Sequence, residues 1–414
     1  MKSTTFSGGV VRSSEVKRTV DGYYDWREKT FEWPVTTEVG RGLNGVIASL
    51  TKVSWLDPAS GTLAYRGIPV EQLAGRVSFE EVARLLITGE APGTEYTNGD
   101  TFRRNLRESR TLPPEVLDLL LDMDPENTHP TRLLRAGVSA LGCHELKASD
   151  DLAGERHWRE MRIVGQVAAL VAQIARLRSG RDMVAFDSEK SLAECTVAAL
   201  CEGDPDPRDV ATLDLLWVLY ADHGLDAPTF TSLIVASCLA DPYYNVVAGL
   251  SALRGPKLGG AVEEVLGQLL VLRGPEDGRD WVGSHIERGG RIAGFGHRVY
   301  RMADPRVTLL RRELASVASR KGYEELFYTA RAVEEEATRR LAPRGIHVNI
   351  NFYAALLFHL LGADAPLVPC LYAVGRMAGL VARVREEIEG GRLYRPLSHY
   401  TGHARRPLPE KGDA

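Results

Sequence analysis

The chain has 414 residues, 44% of them hydrophobic and 26% charged, with a formal net charge of −4. That length allows two or three domains around a large core, and the near-neutral balance, with no basic run interleaved with aromatics, excludes a general nucleic-acid surface. Cys143, Cys195, Cys201, Cys238 and Cys370 are scattered and form no CxxC pair, so they read as reduced core thiols and imply no metal site. Met1 to Trp33 has mixed charges and no apolar leader core, and no later run of eighteen apolar residues is apparent; a cytoplasmic protein with no membrane span is expected.

Residues 1–40 are polar, contain Gly8-Gly9 and show no sustained period, which predicts a loose arm. Between Arg41 and Gly67, β-branched residues flank the turn Asp57-Pro58-Ala59-Ser60-Gly61, predicting two short extended runs. Helices then take over. Ser78-Phe79-Glu80-Glu81 reads as a capping box ahead of Val82, Leu85 and Leu86 at helical spacing. Residues 162–178 place Ile163, Val164, Val167, Leu170, Val171, Ile174 and Leu177 on one broad face, as in a core helix. Asp206-Pro207 opens a helix that ends at Ala221-Asp222-His223-Gly224. The turn Gly255-Pro256-Lys257-Leu258-Gly259-Gly260 leads into a helix from about Ala261, and 274–280 reads as a polar break. Residues 346–352 alternate as an extended lead-in, with Asn351 placed to cap a helix from Phe352. A last helix, from about Leu367 to Ile388, stops at Gly390-Gly391, and the Arg- and Pro-rich residues from His403 on are expected to fray.

The segment from Arg291 to Arg306 has the character of a site. Gly294 and Gly296 let a turn bring its backbone close to a ligand and hold His297 on a short lead. Asp304-Pro305 reads as a cap and first helical residue, which puts Arg306 in a first turn whose free N–H groups favour an anion such as a carboxylate.

Gly294-Phe295-Gly296-His297-Arg298-Val299-Tyr300 followed by Asp304-Pro305-Arg306 resembles the signature of the citrate synthase family. The resemblance spans roughly Arg41 to Gly402, with further landmarks at 61–74, 129–142, Tyr220-Ala221-Asp222-His223, the Ala-Val-Gly-Arg run ending at Arg376, and Tyr394-Arg395-Pro396-Leu397-Ser398. It implies a mostly α, two-domain helical fold with a small N-terminal β-hairpin. The large domain would span 41–259 and 369–414, and a smaller domain of 260–368 would close over CoA. It implies that His297 polarises the ketone of a 2-oxo dicarboxylate such as oxaloacetate while His223, Arg306 and Arg376 hold its carboxylates. Arg395 would reach into the partner's site of a dimer, and Arg291, Ile292, Ala293, Gly294 and Gly296 would border the CoA thioester co-substrate. No metal and no permanently bound cofactor is implied. The physics agrees with such a clamp, since planar bidentate donors suit carboxylates and an imidazole suits a ketone oxygen. Taken singly, Arg376 reads as a surface arginine in mid-helix, Arg395 as a solvated loop residue and His223 as a helix-end cap; only their joint occurrence points to a site.

Two positions depart from the family pattern. Where its glycine-rich turn has a His that donates to the thioester oxygen, this chain has Leu258, and where an Asp removes the α-proton it has Asn351. Asn keeps the shape of Asp but accepts no proton near neutral pH, and Leu can neither donate nor polarise. A positioned base is worth about 10²- to 10⁴-fold and an oxyanion donor about 10²- to 10³-fold, without simple multiplication. Val262 also stands where the family commonly has Asn. As replacements, His347 would lie about 7 Å from its neighbour on the same face of the lead-in, a long reach. Glu263 and Glu264 read as first-turn charges, and Lys257 as solvent-facing.

Two functions follow. The leading one is an acyl-CoA/2-oxo acid acyltransferase that makes or breaks a C–C bond, retains the dicarboxylate pocket and makes citrate inefficiently. The other is a catalytically silent binding or regulatory subunit, pairing with an active paralogue instead of with itself and lending it Arg395.

Overall fold

Helices with a Ser or Asp cap, some with Pro in the first turn, recur through this chain, because a side-chain oxygen satisfies an orphan N–H and Pro needs none. The computed structural model describes residues 4–5, 36–37, 41–43, 46–93, 99–145 and 157–396. It divides into two compact units, Met1–Leu50 and Thr51–Ala414. In the first, β1 (Thr4–Thr5) pairs antiparallel with β2 (Thr36–Thr37), and Arg41–Leu43 makes a 3-10 turn. Most of the segment read as an arm, and the tail from His403, lie outside the described residues.

The second unit opens with the expected hairpin. β3 (Ser54–Asp57) pairs antiparallel with β4 (Thr62–Tyr65), Ser54 opposite Tyr65, and β5 (Ile68–Pro69) adds a short edge. The Asp57 carboxylate fixes the turn by accepting from Ala59 N and the Ser60 hydroxyl. Short α1 (Val70–Leu73) leads to α2 (Phe79–Thr88), where Ser78 accepts from Glu81 N as the capping box predicts. Then come α3 (Gly99–Glu108), α4 (Pro114–Asp122), α5 (Pro130–Glu145), α6 (Trp158–Arg178) and α7 (Leu192–Leu200). Asp206, Asp226 and Asp241 cap α8 (Pro207–Tyr220), α9 (Ala227–Ala236) and α10 (Pro242–Leu253). The chain continues through α11 (Gly259–Leu269), α12 (Pro275–Glu287), α13 (Val307–Lys321), α14 (Glu324–Leu341), α15 (Ile350–Leu360) and α16 (Val368–Gly390).

Helix α16 is the axis. Every residue from Val368 to Val384 is buried, and the helix packs on α2, α6, α8, α9, α10 and α11. Arg376 and Arg383 interrupt the apolar run of this helix, and although Ala365–Gly390 could cross a membrane by length and composition, 89% of its apolar eighteen-residue window is buried inside the protein, as in a core helix. Its Tyr372, Arg376, Gly379 and Arg383 recur at helical spacing on one face. Gly379 is where this face meets the end of α8: its N–H donates to Ala221 O at 2.9 Å, and a Cβ there would lie 2.4 Å from that oxygen.

Three local readings need correction. Residues 274–280 are not a break, because Gly274 precedes Pro275 at the start of α12 and Glu276 and Asp277 supply first-turn acidity. Asn349, not Asn351, caps α15; it accepts from Asn351 N at 3.0 Å, so Asn351 lies in the first turn and the lead-in is shorter than 346–352. The cysteines are all free, but only Cys195 and Cys370 are buried, whereas Cys143 and Cys238 are exposed.

Candidate active site

A helix ends with carbonyls that have lost their intrahelical partners, and the end of α8 recruits its replacements from distant segments. The Tyr65 hydroxyl donates to Val218 O at 3.0 Å and to Asp222 O at 3.1 Å. Arg306 Nη1 donates to Leu219 O at 3.1 Å, and Arg376 Nε to Tyr220 O at 2.9 Å. Two arginines 70 residues apart in sequence are thus seated on consecutive carbonyls, where the negative end of the helix favours cations. Neither is at the surface: Arg306 and Arg376 are 2% and 3% exposed.

Each arginine has its own carboxylate. Asp304 grips Arg306 with both oxygens, at 2.9 Å from Nε and 2.7 Å from Nη2. Three of the five guanidinium N–H groups are then taken, leaving one on each terminal nitrogen for a ligand. Arg376 pairs with Asp226, the cap of α9, and lies over the Tyr372 ring at 5.3 Å. Burial alone would make Arg306 easier to deprotonate, but Asp304 outweighs it and holds the guanidinium more firmly charged than usual; Asp226 does the same for Arg376. The expected anion site at the start of α13 is therefore already filled by the protein. Asp304 accepts from Arg306 N, Arg306 precedes the helix instead of lying in its first turn, and α13 begins at Val307.

The turn carrying His297 is stapled to the entry of α15. Gly296 N donates to His347 O at 2.7 Å, Asn349 N to Gly294 O at 2.8 Å, and Asn349 Nδ2 to Gly296 O at 2.8 Å. Gly294 has φ +77°, and a Cβ there would sit 2.7 Å from Phe352 Cβ, so its close approach is to α15 and not to a ligand. Upstream, Arg291 O and Ala293 N are held by Gln268 of α11, which fixes the stretch expected to border CoA; Ile292 and Ala293 are buried and Arg291 is exposed.

His297 Nδ1 accepts from Val299 N at 3.0 Å and from Tyr300 N at 2.9 Å. Those two bonds put the ring proton on Nε2, making the other nitrogen a donor. The ring stacks on Tyr300 at 4.5 Å and meets His223 edge-on at 5.1 Å. Tyr300, which sequence reasoning gave no role, bridges them: its hydroxyl lies 3.2 Å from His223 Nε2. Burial pushes His297 down to about 4, with Arg306 adding to the shift, and holds His223 well below the usual imidazole range, helped by Arg306, His297 and Arg376. Both imidazoles are neutral at physiological pH. Arg306, Arg376, His223 and His297 therefore share one electrostatic neighbourhood.

That shift carries a pH prediction. The folded value of His297 lies below the unfolded value of about 6.5, so the unfolded chain binds the extra proton first and stability falls as pH drops from 6.5 towards 4. The His297 contribution lost between pH 7 and pH 5 is about 2 kcal/mol. Urea unfolding at both values should show this slope, and His297→Gln should flatten it.

Of the two departing positions, Asn351 is joined to the end of α8, which seats both arginines. The Tyr220 hydroxyl donates to Asn351 Oδ1 at 2.9 Å. Leu258 is half-buried at the start of α11, which packs on α15. Glu263 is not a spare base, since His129 Nε2 lies 3.3 Å and Arg254 Nη1 3.8 Å from its carboxylate; Glu264 accepts from Gln268, and Lys257 is exposed. Arg395 is not brought to the cluster. It is exposed and donates to Pro396 O, while Leu397 and Ser398 lie outside the described residues. Sequence reasoning also missed Asp222 and Arg383: Arg383 Nε donates to Asp222 Oδ1 at 2.9 Å and Nη2 to Oδ2 at 3.0 Å, fixing the residue that precedes His223. The available signal was two arginines seven residues apart in the otherwise apolar stretch from Val368 to Val384. Among the described residues, no group of three or more His, Cys, Asp or Glu is placed to hold a metal ion.

Known proteins share this arrangement of elements. A citrate synthase from Acidithiobacillus ferridurans is 34% identical over 380 residues, covering 89% of this chain and 97% of that protein. A 2-methylcitrate synthase from Corynebacterium glutamicum is 32% identical over 387 residues, covering 91% and 99%. Among solved structures, the citrate synthase of Thermoplasma acidophilum in ternary complex with carboxymethyl coenzyme A and oxaloacetate is similar with a TM-score of 0.84 at 25% identity, covering 90% of this chain and 99% of that one. The family model for the citrate synthase C-terminal domain matches residues 42–397, and with it the chain belongs to the citrate synthase family.

Proposed function

We propose that the protein is a citrate synthase-type acyltransferase that binds a 2-oxo dicarboxylate of the oxaloacetate kind and makes or breaks a C–C bond between it and an acyl thioester of CoA. One observation carries this reading: two charged arginines with N–H groups to spare share a neighbourhood with a neutral imidazole whose free nitrogen is a donor. Arg306 and Arg376 take the carboxylates, His223 assists, and the Nε2–H of His297 polarises the ketone. Residues 260–368 act as the smaller domain closing over CoA, along the stretch from Arg291 to Gly296. No resident metal or cofactor takes part. With Leu258 and Asn351 replacing an imidazole and a carboxylate, the chain makes citrate from acetyl-CoA only slowly.

A second reading is supported by the position of Arg395, exposed and away from the cluster of its own chain. In it the protein is a catalytically silent binding or regulatory subunit that lends Arg395 to an active paralogue. Calorimetry with oxaloacetate tests what both readings share, with heat of binding expected at submillimolar ligand and absence of binding at millimolar ligand removing both. A thiol-release assay over a panel of acyl thioesters separates them. Turnover that falls at least about 10²-fold in His297→Ala supports the enzyme, whereas silence with every donor and retained binding supports the subunit.

A further inference from the structure

Resting on the pocket just described, we propose that Asn351 determines donor specificity by accepting an acyl thioester that carries a carboxylate on its α-carbon, a malonyl-type thioester whose loss of CO2 replaces proton abstraction. The geometry of the amide is the starting point. Tyr220 is buried, its ring set against Tyr372 at 4.6 Å and Phe358 at 6.2 Å, and among the described residues its hydroxyl finds an acceptor only in Asn351 Oδ1. Turning the amide over would strand that O–H, so Oδ1 is committed to Tyr220. The Nδ2 group has no hydrogen bond among the described residues and keeps two N–H donors. These donors belong to the first turn of α15, where a negative charge is favoured. Of the charged side chains acting on the Tyr220 hydroxyl, two are cations, Arg306 and Arg376, and one is an anion, Asp304. A carboxylate at position 351 would repel an anionic donor, whereas an amide nitrogen binds it.

The chemistry balances without a base. The bond from the α-carbon to its carboxylate breaks, CO2 leaves, and the electron pair stays on the α-carbon. That carbon bonds to the ketone carbon, and the ketone oxygen takes the Nε2 proton of His297. Water then cleaves the thioester to a carboxylic acid and a free thiol, and ionisation of the acid returns the proton to His297. One water is consumed, and one CO2 and one thiol are released per turn.

The test uses the full-length chain with malonyl-CoA and acetyl-CoA as probes, in the presence and absence of oxaloacetate. The expected result is oxaloacetate-dependent release of CO2 and thiol in equal amounts from malonyl-CoA, at least about 10²-fold faster than thiol release from acetyl-CoA. Asn351→Asp should lower kcat/KM for malonyl-CoA by about 10²-fold, while Asn351→Ser, which removes the donor without adding charge, should cost about tenfold. Wild-type protein that binds oxaloacetate by calorimetry yet leaves malonyl-CoA intact overturns this inference and spares the pocket. Failure to bind oxaloacetate overturns the pocket itself. Equal malonyl-CoA rates in the wild type and in either variant overturn the role of Asn351.

Discussion

Leu258→His combined with Asn351→Asp will raise oxaloacetate-dependent thiol release from acetyl-CoA by at least about 10²-fold over the wild-type chain. The surroundings of both positions accept the change. Tyr220 donates to the outer oxygen of residue 351, so a carboxylate keeps that bond, and the first turn of α15 favours the added charge. Leu258 is half-buried and bonded only through its backbone, accepting from Ala261 N and donating to Gly255 O, which leaves an imidazole free to point where the leucine does. Aspartate alone supplies a base with nothing to stabilise the enolate, and histidine alone supplies a donor for an enolate that never forms. The double variant should therefore exceed the sum of the single ones. Turnover unchanged in a double variant that still binds oxaloacetate would show that the site has altered beyond these two positions, with Val262 the next candidate.

What the sequence disclosed and what it hid divide along physical lines. Local signals were legible: the Asp57–Gly61 turn, the Ser78 and Asp206 caps and the helix stop near Gly390 all appear where short-range chemistry puts them. Burial was not, because it depends on which helices surround a residue. Arg376 reads as a surface arginine until α16 is enclosed by α2, α6, α8, α9, α10 and α11. Asp304 reads as a helix cap but is not one, because α13 begins at Val307 with Arg306 before it; the role of Asp304 is the two-oxygen grip on Arg306, which needs the guanidinium to fold back over its own backbone. The glycines of the His297 turn were rightly expected to allow close approach. For Gly294 that approach is to Phe352, 58 residues away in the chain, whereas a Cβ at Gly296 would meet only Ile346, at 3.9 Å. Asn351 was displaced from cap to first turn by a single alternation of polar and apolar residues, which a strand and the entry to a helix share.

Replacing Arg383 by Met will destabilise the protein by about 3–5 kcal/mol at neutral pH, the cost typical of leaving one member of a buried ion pair without its partner. Asp222 is fully buried, and its carboxylate accepts from Arg383 Nε and Nη2, from the Ser54 hydroxyl and from Gly224 N. Burial opposes ionisation, but the Arg383 guanidinium outweighs it and holds the carboxyl below its usual range. A carboxyl lowered on folding contributes stability above its unfolded value of about 3.9 and loses it as pH falls through the folded value. Without Arg383 the balance reverses. Burial then raises the group, and the chain must bury a charge or take up a proton. The loss in Arg383→Met should accordingly be greatest at neutral pH and shrink as pH falls and Asp222 protonates. Asp222→Asn added to Arg383→Met removes the stranded charge and should recover part of the loss, a coupling that urea unfolding of the two single variants and the double variant will read directly. A change below about 1 kcal/mol in the single variant would reduce the pair to the worth of a surface bridge. Because Asp222 immediately precedes His223 and its Oδ2 holds the Gly224 N–H just after it, the same variant should also weaken oxaloacetate binding, through the placement of His223 and not through any contact of Arg383 with the ligand.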